Sequence, residues 1–238
     1  MEWSDRIKVG ELELPNRIVM AALTRERCTP AGVPTPMVAE YYAQRASAGL
    51  IFTETTAWCQ RGRTSKGSPG LYSEEQAQGW RAVTEAVHHL GGRIFVQLAH
   101  AGRATNTEMT FDLETWAPSP VLCREKLRYL GAVAPPPHEM SVEEIKVTQA
   151  EFEESLRLAK AAGFDGVQLQ AAHGYLIDQF LRSSTNKRTD QYGGSPQNRV
   201  RYCLELFDIA LQHFRPEQLA IKLSPVSRAK DMLDEKPE

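Results

Sequence analysis

Apolar and polar positions alternate along this chain in two rhythms. Short apolar runs stand at 16–21 (NRIVMA), 50–54 (LIFTE), 94–98 (IFVQL), 167–171 (VQLQA) and 219–223 (LAIKL). Each has the length and composition of a strand, and the continuous run at 16–21 suits one buried on both faces. Between them lie helical stripes. Thr35-Pro36 supplies an N-cap and a proline at the first helical position, Val38, Tyr41 and Arg45 share a face, and Gly49 ends that helix. Ser73 and Gln76 form a capping box for a helix striped by Trp80, Val83, Val87 and Leu90, stopped at Gly91-Gly92. Ser141 and Glu144 form a second box, and Ile145, Phe152, Leu156 and Ala159 stripe the helix that Gly163 ends. The chain turns at Asp165-Gly166 into the run at 167–171. A further helix spans 197–214, with Val200, Cys203, Leu204 and Phe207 on its apolar side.

Strand and helix alternate throughout, which predicts an α/β fold with a parallel sheet. A complete (β/α)8 barrel runs to about 250 residues. Here the fifth strand is followed by residues 224–238 alone, so the pattern fits either an open five-stranded doubly wound sheet or five-eighths of a barrel. Residues 1–238 read as one domain. Residues 99–140 form an excursion, with Pro118, Pro120 and Pro135-Pro136-Pro137, too long for a simple connection and suited to covering an active site. The stretch Asn186-Lys187-Arg188 through Tyr192-Gly193-Gly194 reads as a long ordered loop.

Composition narrows the function classes. With 42% hydrophobic and 24% charged residues the chain is ordinary for a soluble domain, and its net charge of −2 gives no reason to expect nucleic acid or an anionic membrane. The stretch MEWSDRIKVGELEL has neither a leader's apolar core nor a membrane span. Cys28, Cys59, Cys123 and Cys203 lack zinc spacing and are expected as reduced thiols in a cytoplasmic protein.

Candidate chemistry collects at the carboxyl ends of the predicted strands. They offer Leu23-Thr24-Arg25, Glu54-Thr55-Thr56, Gln97 and His100, Gln170 and His173, and Lys222 and Ser224, whereas the opposite ends show an ordinary turn assortment. Parallel α/β folds bind ligands at that end. No GxGxxG, no P-loop, no nucleophile elbow and no metal-ligand spacing occurs. His100 and His88-His89 are expected at the surface, and Arg25 and Arg103 either bind a cofactor phosphate or ion-pair across loops. The remaining amides, hydroxyls, imidazole and one cation could hold a heteroaromatic ring and polarise a carbonyl. A flavin fits, and a nucleobase or a sugar fits nearly as well.

The blocks NRIVMAALTR, AEYYAQRASAGLIFTE, GLYSEEQAQGW, GGRIFVQLAHAGR, the stretch from Gly163 to Arg199, and KLSPVSRAKDM stand in an order and at separations that resemble the old yellow enzyme family. These are FMN-dependent NADPH ene-reductases, among them the 12-oxophytodienoate reductases, and the resemblance covers almost the whole chain in a C-terminally shortened form. It implies an incomplete TIM (β/α)8 barrel of five strand–helix units. It also implies FMN as cofactor, NADPH as hydride donor and reduction of the C=C bond of α,β-unsaturated carbonyl compounds. Carried over by position, Ala22, Leu23, Thr24, Thr55, Gln97 and Lys222 contact the flavin. Gln170 and His173 grip the substrate carbonyl, and Tyr175 protonates the substrate.

Four positions depart from the family pattern. Gln170 stands for a histidine, Lys222 for an arginine, Thr55 for a glycine that approaches the flavin, and Ala22 for a proline. In the family the FMN phosphate is held after the seventh and eighth strands, which have no counterpart here. A catalytically impaired relative acting as a binding or assembly protein is the alternative. Self-association through open sheet edges is expected either way.

Overall fold

A computed structural model of the chain describes residues 2–127 and 131–232. Its elements follow in order as β1 (Ile7–Val9), β2 (Leu12–Leu14), β3 (Val19–Met20), α1 (Pro36–Ala43), β4 (Leu50–Ala57) and α2 (Glu74–His89). After these come β5 (Ile94–Ala99), β6 (Trp116–Ala117), β7 (His138–Glu139), α3 (Val142–Ala161) and β8 (Gly166–Ala171). The described chain closes with α4 (Leu176–Leu181), α5 (Pro196–Arg199), α6 (Arg201–Ala210) and β9 (Leu219–Leu223).

The central sheet is parallel, with β3-β4-β5-β8-β9 side by side in sequence order. Helices α1, α2, α3 and α6 pack on one another in the same succession. A doubly wound sheet reverses its strand order partway across, and this one does not. The architecture is therefore the curled, singly wound half-barrel, five units of a TIM barrel. The excursion after β5 carries its own two-residue parallel ladder, β6 with β7.

Alternation along each strand divides the residues between two compartments. Val167, Leu169 and Ala171 of β8 point outward into the main core with Trp80, Val83, Val87, Ile145, Phe152 and Leu156 from the helices, all of them buried. The opposite face looks into the barrel. Its amino-terminal layer is apolar, with Leu50, Phe52 and Phe95 packed against Ile7, Leu12 and Leu14 of the β1–β2 hairpin. That hairpin covers the amino-terminal end of the interior layer.

Local signals held where the groups lie close in sequence. Ser141 and Glu144 make both halves of their capping box, and Gly91 and Gly163 stop their helices with φ of 78° and 83°, where glycine carries no steric cost. Asn186 ties the loop after α4 by donating to the carbonyls of Phe180 and Tyr192.

Other expectations are corrected. The run at 16–21 shrinks to Val19–Met20, and Ile18 and Val19 are exposed, because β3 is an edge strand and is not buried on both faces. Thr35 makes no side-chain cap; its hydroxyl donates to the Arg27 carbonyl instead, and α1 ends at Ala43, well before Gly49. Val38 and Tyr42 form the buried face of α1, while Tyr41 takes the guanidinium groups of Arg25 and Arg45 over its ring. Gln76 accepts from the Tyr72 N–H rather than closing the box with Ser73, and Leu90 is exposed beyond its helix end. The helix expected over 197–214 is two pieces meeting at Val200, whose φ of −77° and ψ of −17° stay helical. Tyr202, Cys203 and Leu206 line its buried side, and Leu204 is exposed toward a groove of about 570 Å³ between α6 and β9.

Candidate active site

Above the apolar layer the interior turns polar. A register shift in the β4–β5 ladder between Phe52 and Thr55 sets Thr55 directly opposite Gln97. The Thr55 hydroxyl donates to Gln97 Oε1 at 2.9 Å, and Gln97 Nε2 donates to Gln168 Oε1 at 2.6 Å. Gln97 is fully buried and its own N–H donates to Thr53 Oγ1. Two residues beyond Gln168 on the same face stands Gln170, and across the next ladder Gln170 is in register with Lys222. Thr55, Gln97, Gln168, Gln170 and Lys222 thus form a floor across four strands, built from a hydroxyl, three neutral amides and one cation.

Gln168 was not singled out in the sequence, although the Gln-Leu-Gln alternation after Val167 is the signal that could have found it. Gln170 is buried, and its Oε1 has no hydrogen-bond partner. A buried amide oxygen without a partner is expensive unless a ligand supplies the donor. The side chain of Thr55 reaches sideways to Gln97, so the hydroxyl is committed within the floor.

The turn after β8 presents the remaining groups. His173 and Gly174 are both left-handed, with φ of 56° and 75°, and a non-glycine residue there needs support from its surroundings. The His173 N–H donates to Ser224 Oγ at 2.8 Å, and its carbonyl accepts from Lys230 Nζ at 2.7 Å. Asp178 Oδ2 accepts the Gly174 N–H at 2.8 Å, while Asp178 Oδ1 accepts from Arg182 Nε at 3.1 Å, and Arg182 also donates to the Ser224 carbonyl. Burial holds the His173 imidazole below its ordinary pKa, with Lys222 and Lys230 adding to the effect and Asp178 opposing it. The ring is therefore neutral near pH 7, with one N–H to give. Burial likewise lowers Lys222. Tyr175, at the N-cap of α4, packs half-buried against Ala104, Cys123, Leu127 and Ala134, with Lys230 Nζ 4.4 Å from its ring centroid.

Ala22, Leu23 and Thr24 lie on the loop after β3, with Leu23 and Thr24 exposed. This edge of the site is open in the described structure, whereas Gln97, Gln168 and Gln170 are enclosed. Arg103 and His100 are corrected. Arg103 is 2% exposed and donates to the carbonyls of Val121, Leu122 and Lys230, with no ion pair to an acid among the described residues. It clamps the excursion to the loop after β9 through main-chain carbonyls. His100 is 1% exposed, accepts the Gly102 N–H at Nδ1, and burial drives its pKa down to about 3. His88 pairs with Asp165 at the amino end of the sheet. The four cysteines are free thiols, and among the described residues no cluster of His, Cys, Asp or Glu could hold a metal. No helix among them is long and apolar enough to cross a membrane.

The family described as the NADH:flavin oxidoreductase / NADH oxidase family matches residues 5–237. A probable flavin mononucleotide-dependent alkene reductase of Leishmania infantum is 41% identical over 97% of this chain and 65% of its own length. The 12-oxophytodienoate reductase 2 of Arabidopsis thaliana is 36% identical over 97% of this chain and 63% of its length. The chain thus spans less than two thirds of these curated relatives. Among solved structures, the old yellow enzyme homologue from Zymomonas mobilis superposes with a TM-score of 0.95 at 39% identity, covering 100% of this chain and 67% of that one. Morphinone reductase in complex with tetrahydroNAD superposes at 0.92 with 38% identity, covering 99% and 67%.

Proposed function

Since the chain belongs to the NADH:flavin oxidoreductase / NADH oxidase family, that of the old yellow enzymes, we propose that its polar floor binds FMN and that it reduces the C=C bond of α,β-unsaturated carbonyl compounds. The observation that carries the reading is the unpaired, buried Gln170 Oε1 beside the satisfied chain Thr55–Gln97–Gln168. A planar ring edged with carbonyl and N–H groups offers the donor that oxygen lacks and acceptors for the amide N–H groups. Ala22, Leu23 and Thr24 on the β3 loop, with Thr55, Gln97 and Lys222 of the floor, would hold the ring, Lys222 supplying positive charge. FMN, when bound, supplies hydride-transfer chemistry, with NADPH as the external donor.

The chain's own residues activate the substrate. Hydrogen bonds from His173 and from the Gln170 amide to the carbonyl oxygen draw electron density from the alkene and stabilise the developing enolate. Tyr175 delivers the proton to the α-carbon as general acid. The left-handed turn at His173-Gly174 supports this reading, with Lys230 meeting both the His173 carbonyl and the Tyr175 ring. A cytoplasmic location belongs to the same reading.

Stopped-flow kinetics test it. Tyr175→Phe is expected to leave NADPH-driven flavin reduction unchanged and to slow alkene reduction by about 10²–10⁴, the usual general-acid contribution. Equal loss in both half-reactions would make Tyr175 structural, and a purified protein that takes up no FMN would favour a non-catalytic binding role.

A further inference from the structure

Glu54 is a buried acid to which the mechanism above gives no part. It lies on β4 between Thr53 and Thr55 and is 0% exposed. Its Oε2 accepts two backbone N–H groups from another segment, Arg25 at 2.7 Å and Glu26 at 2.9 Å. Those are the two residues directly after Thr24. Its own N–H donates to Tyr42 Oη at 2.7 Å, which anchors it to α1. The second oxygen, Oε1, is buried without a partner.

No cation neutralises this carboxylate at contact distance in the described structure. The Arg25 guanidinium lies over Tyr41, and Arg63 donates to the carbonyls of Pro30 and Lys66. Burial pushes the Glu54 carboxyl up, and the two N–H bonds oppose that shift. An acid placed at such cost, with both donors drawn from one loop, is holding that loop. The loop requires it, since Glu26 is left-handed at φ 55° and nothing in its covalent structure favours that turn.

We propose that Glu54 is the positioning residue of the flavin site, fixing the backbone after Thr24 so that the β3 loop and Thr55 are presented as one rigid edge. The proposal rests on the FMN reading above. It makes Glu54 act through Thr24, with no contact of its own to the ligand.

Two measurements on the 238-residue chain test it. The first is amide hydrogen exchange without flavin in wild type, Glu54→Gln and Glu54→Ala. Arg25 and Glu26 are expected to exchange at least about tenfold faster in Glu54→Ala, with Glu54→Gln intermediate because its carbonyl still accepts. The second is an FMN fluorescence titration of wild type, Glu54→Ala, Thr24→Ala and the double variant. Both single variants are expected to weaken binding, and the double to bind no worse than Glu54→Ala, since a misplaced Thr24 has nothing left to lose. Unchanged exchange at both amides, or strictly additive losses in the double variant, would overturn the proposal. Wild type that binds no FMN would sink the flavin reading, while the exchange result would still decide whether Glu54 clamps the loop. Glu54→Gln guards against an alanine variant that fails to fold.

Discussion

Asp178 and Arg182 offer the sharpest test of how the rim of the site is held. Their side chains are 3% and 10% exposed, and they meet at 3.1 Å one helical turn apart. Asp178 also accepts the Gly174 N–H, and Arg182 donates to the Ser224 carbonyl, so the pair ties the β8 turn to the loop after β9. Asp178→Asn keeps the volume and removes the carboxylate that the Arg182 guanidinium and the Gly174 N–H share. Breaking one partner of a buried pair costs about 3–5 kcal/mol. For a domain of this size each kcal/mol lowers Tm by about 2–4 °C, so a fall of roughly 6–20 °C is expected. Urea titration should show a lower midpoint at unchanged m, and exchange at the Gly174 amide should accelerate. Replacing both partners, as Asp178→Leu with Arg182→Met, removes the ion pair as a unit and is expected to recover part of the loss. A cost below about 1 kcal/mol for Asp178→Asn would refute the reasoning, because the charge would then be solvated or compensated elsewhere.

Three further outcomes follow from the same geometry. Gln170→His is expected to tighten phenolic ligands of the flavin form, read by spectral titration, but only by about tenfold or less, since Lys222 in register beside it disfavours the imidazolium that would give the stronger, charge-assisted bond; unchanged or weaker binding sinks the argument. His100 has a folded pKa of about 3 against an ordinary 6.5, so its stabilising share is complete above pH 6.5 and is lost as pH falls toward 3. The unfolding free-energy difference between wild type and His100→Gln should therefore shrink on acidification by up to about 1.4 kcal/mol per pH unit, and a flat difference between pH 4 and 6.5 would contradict it. Finally, Val19 on one edge strand and Leu223 on the other are exposed at 49% and 56%. Light scattering on the isolated 238-residue chain should show self-association, and a compact monomer retaining stoichiometric FMN through gel filtration would refute it.

What could be read from the sequence was what depends on near neighbours. The Ser141–Glu144 box, the Gly91 and Gly163 stops and the five strand runs need only residues a few positions apart, and all are present. The strand count, set against the short remainder after Leu223, kept the half-barrel and the doubly wound sheet both open; the strand order settled it. Misses arose where a distant segment decides. His100 looks like a surface histidine until Trp58 packs on its ring at 5.5 Å and the loop closes over it. For Arg103 the sequence leaves a phosphate ligand and an ion pair across loops both open, and the carbonyls of residues 121, 122 and 230 that it binds come from segments far along the chain. The run at 16–21 has the composition of a central strand, but edge position is a property of the whole sheet and cannot be read from six residues. Glu54 shows the same limit, because the two N–H groups it holds lie nearly thirty positions away.

The charges around the rim explain why a glutamine can stand at 170. Lys222 faces that position across the ladder, and both Lys222 and Lys230 act on His173, whose imidazole is already driven toward its neutral form by burial. A histidine at 170 would be a third potential cation in a half-buried cleft, and repulsion from Lys222 would keep it neutral as well. The amide therefore gives up little at this position. It offers one N–H toward a carbonyl oxygen, as a neutral imidazole would, without a proton to gain or lose. On the reading proposed above, activation of an enone in such a site would rely on two neutral donors acting within a positive field supplied by lysines a step removed. On the same reading, the carbonyl-polarising step should not titrate above the lowered pKa of His173.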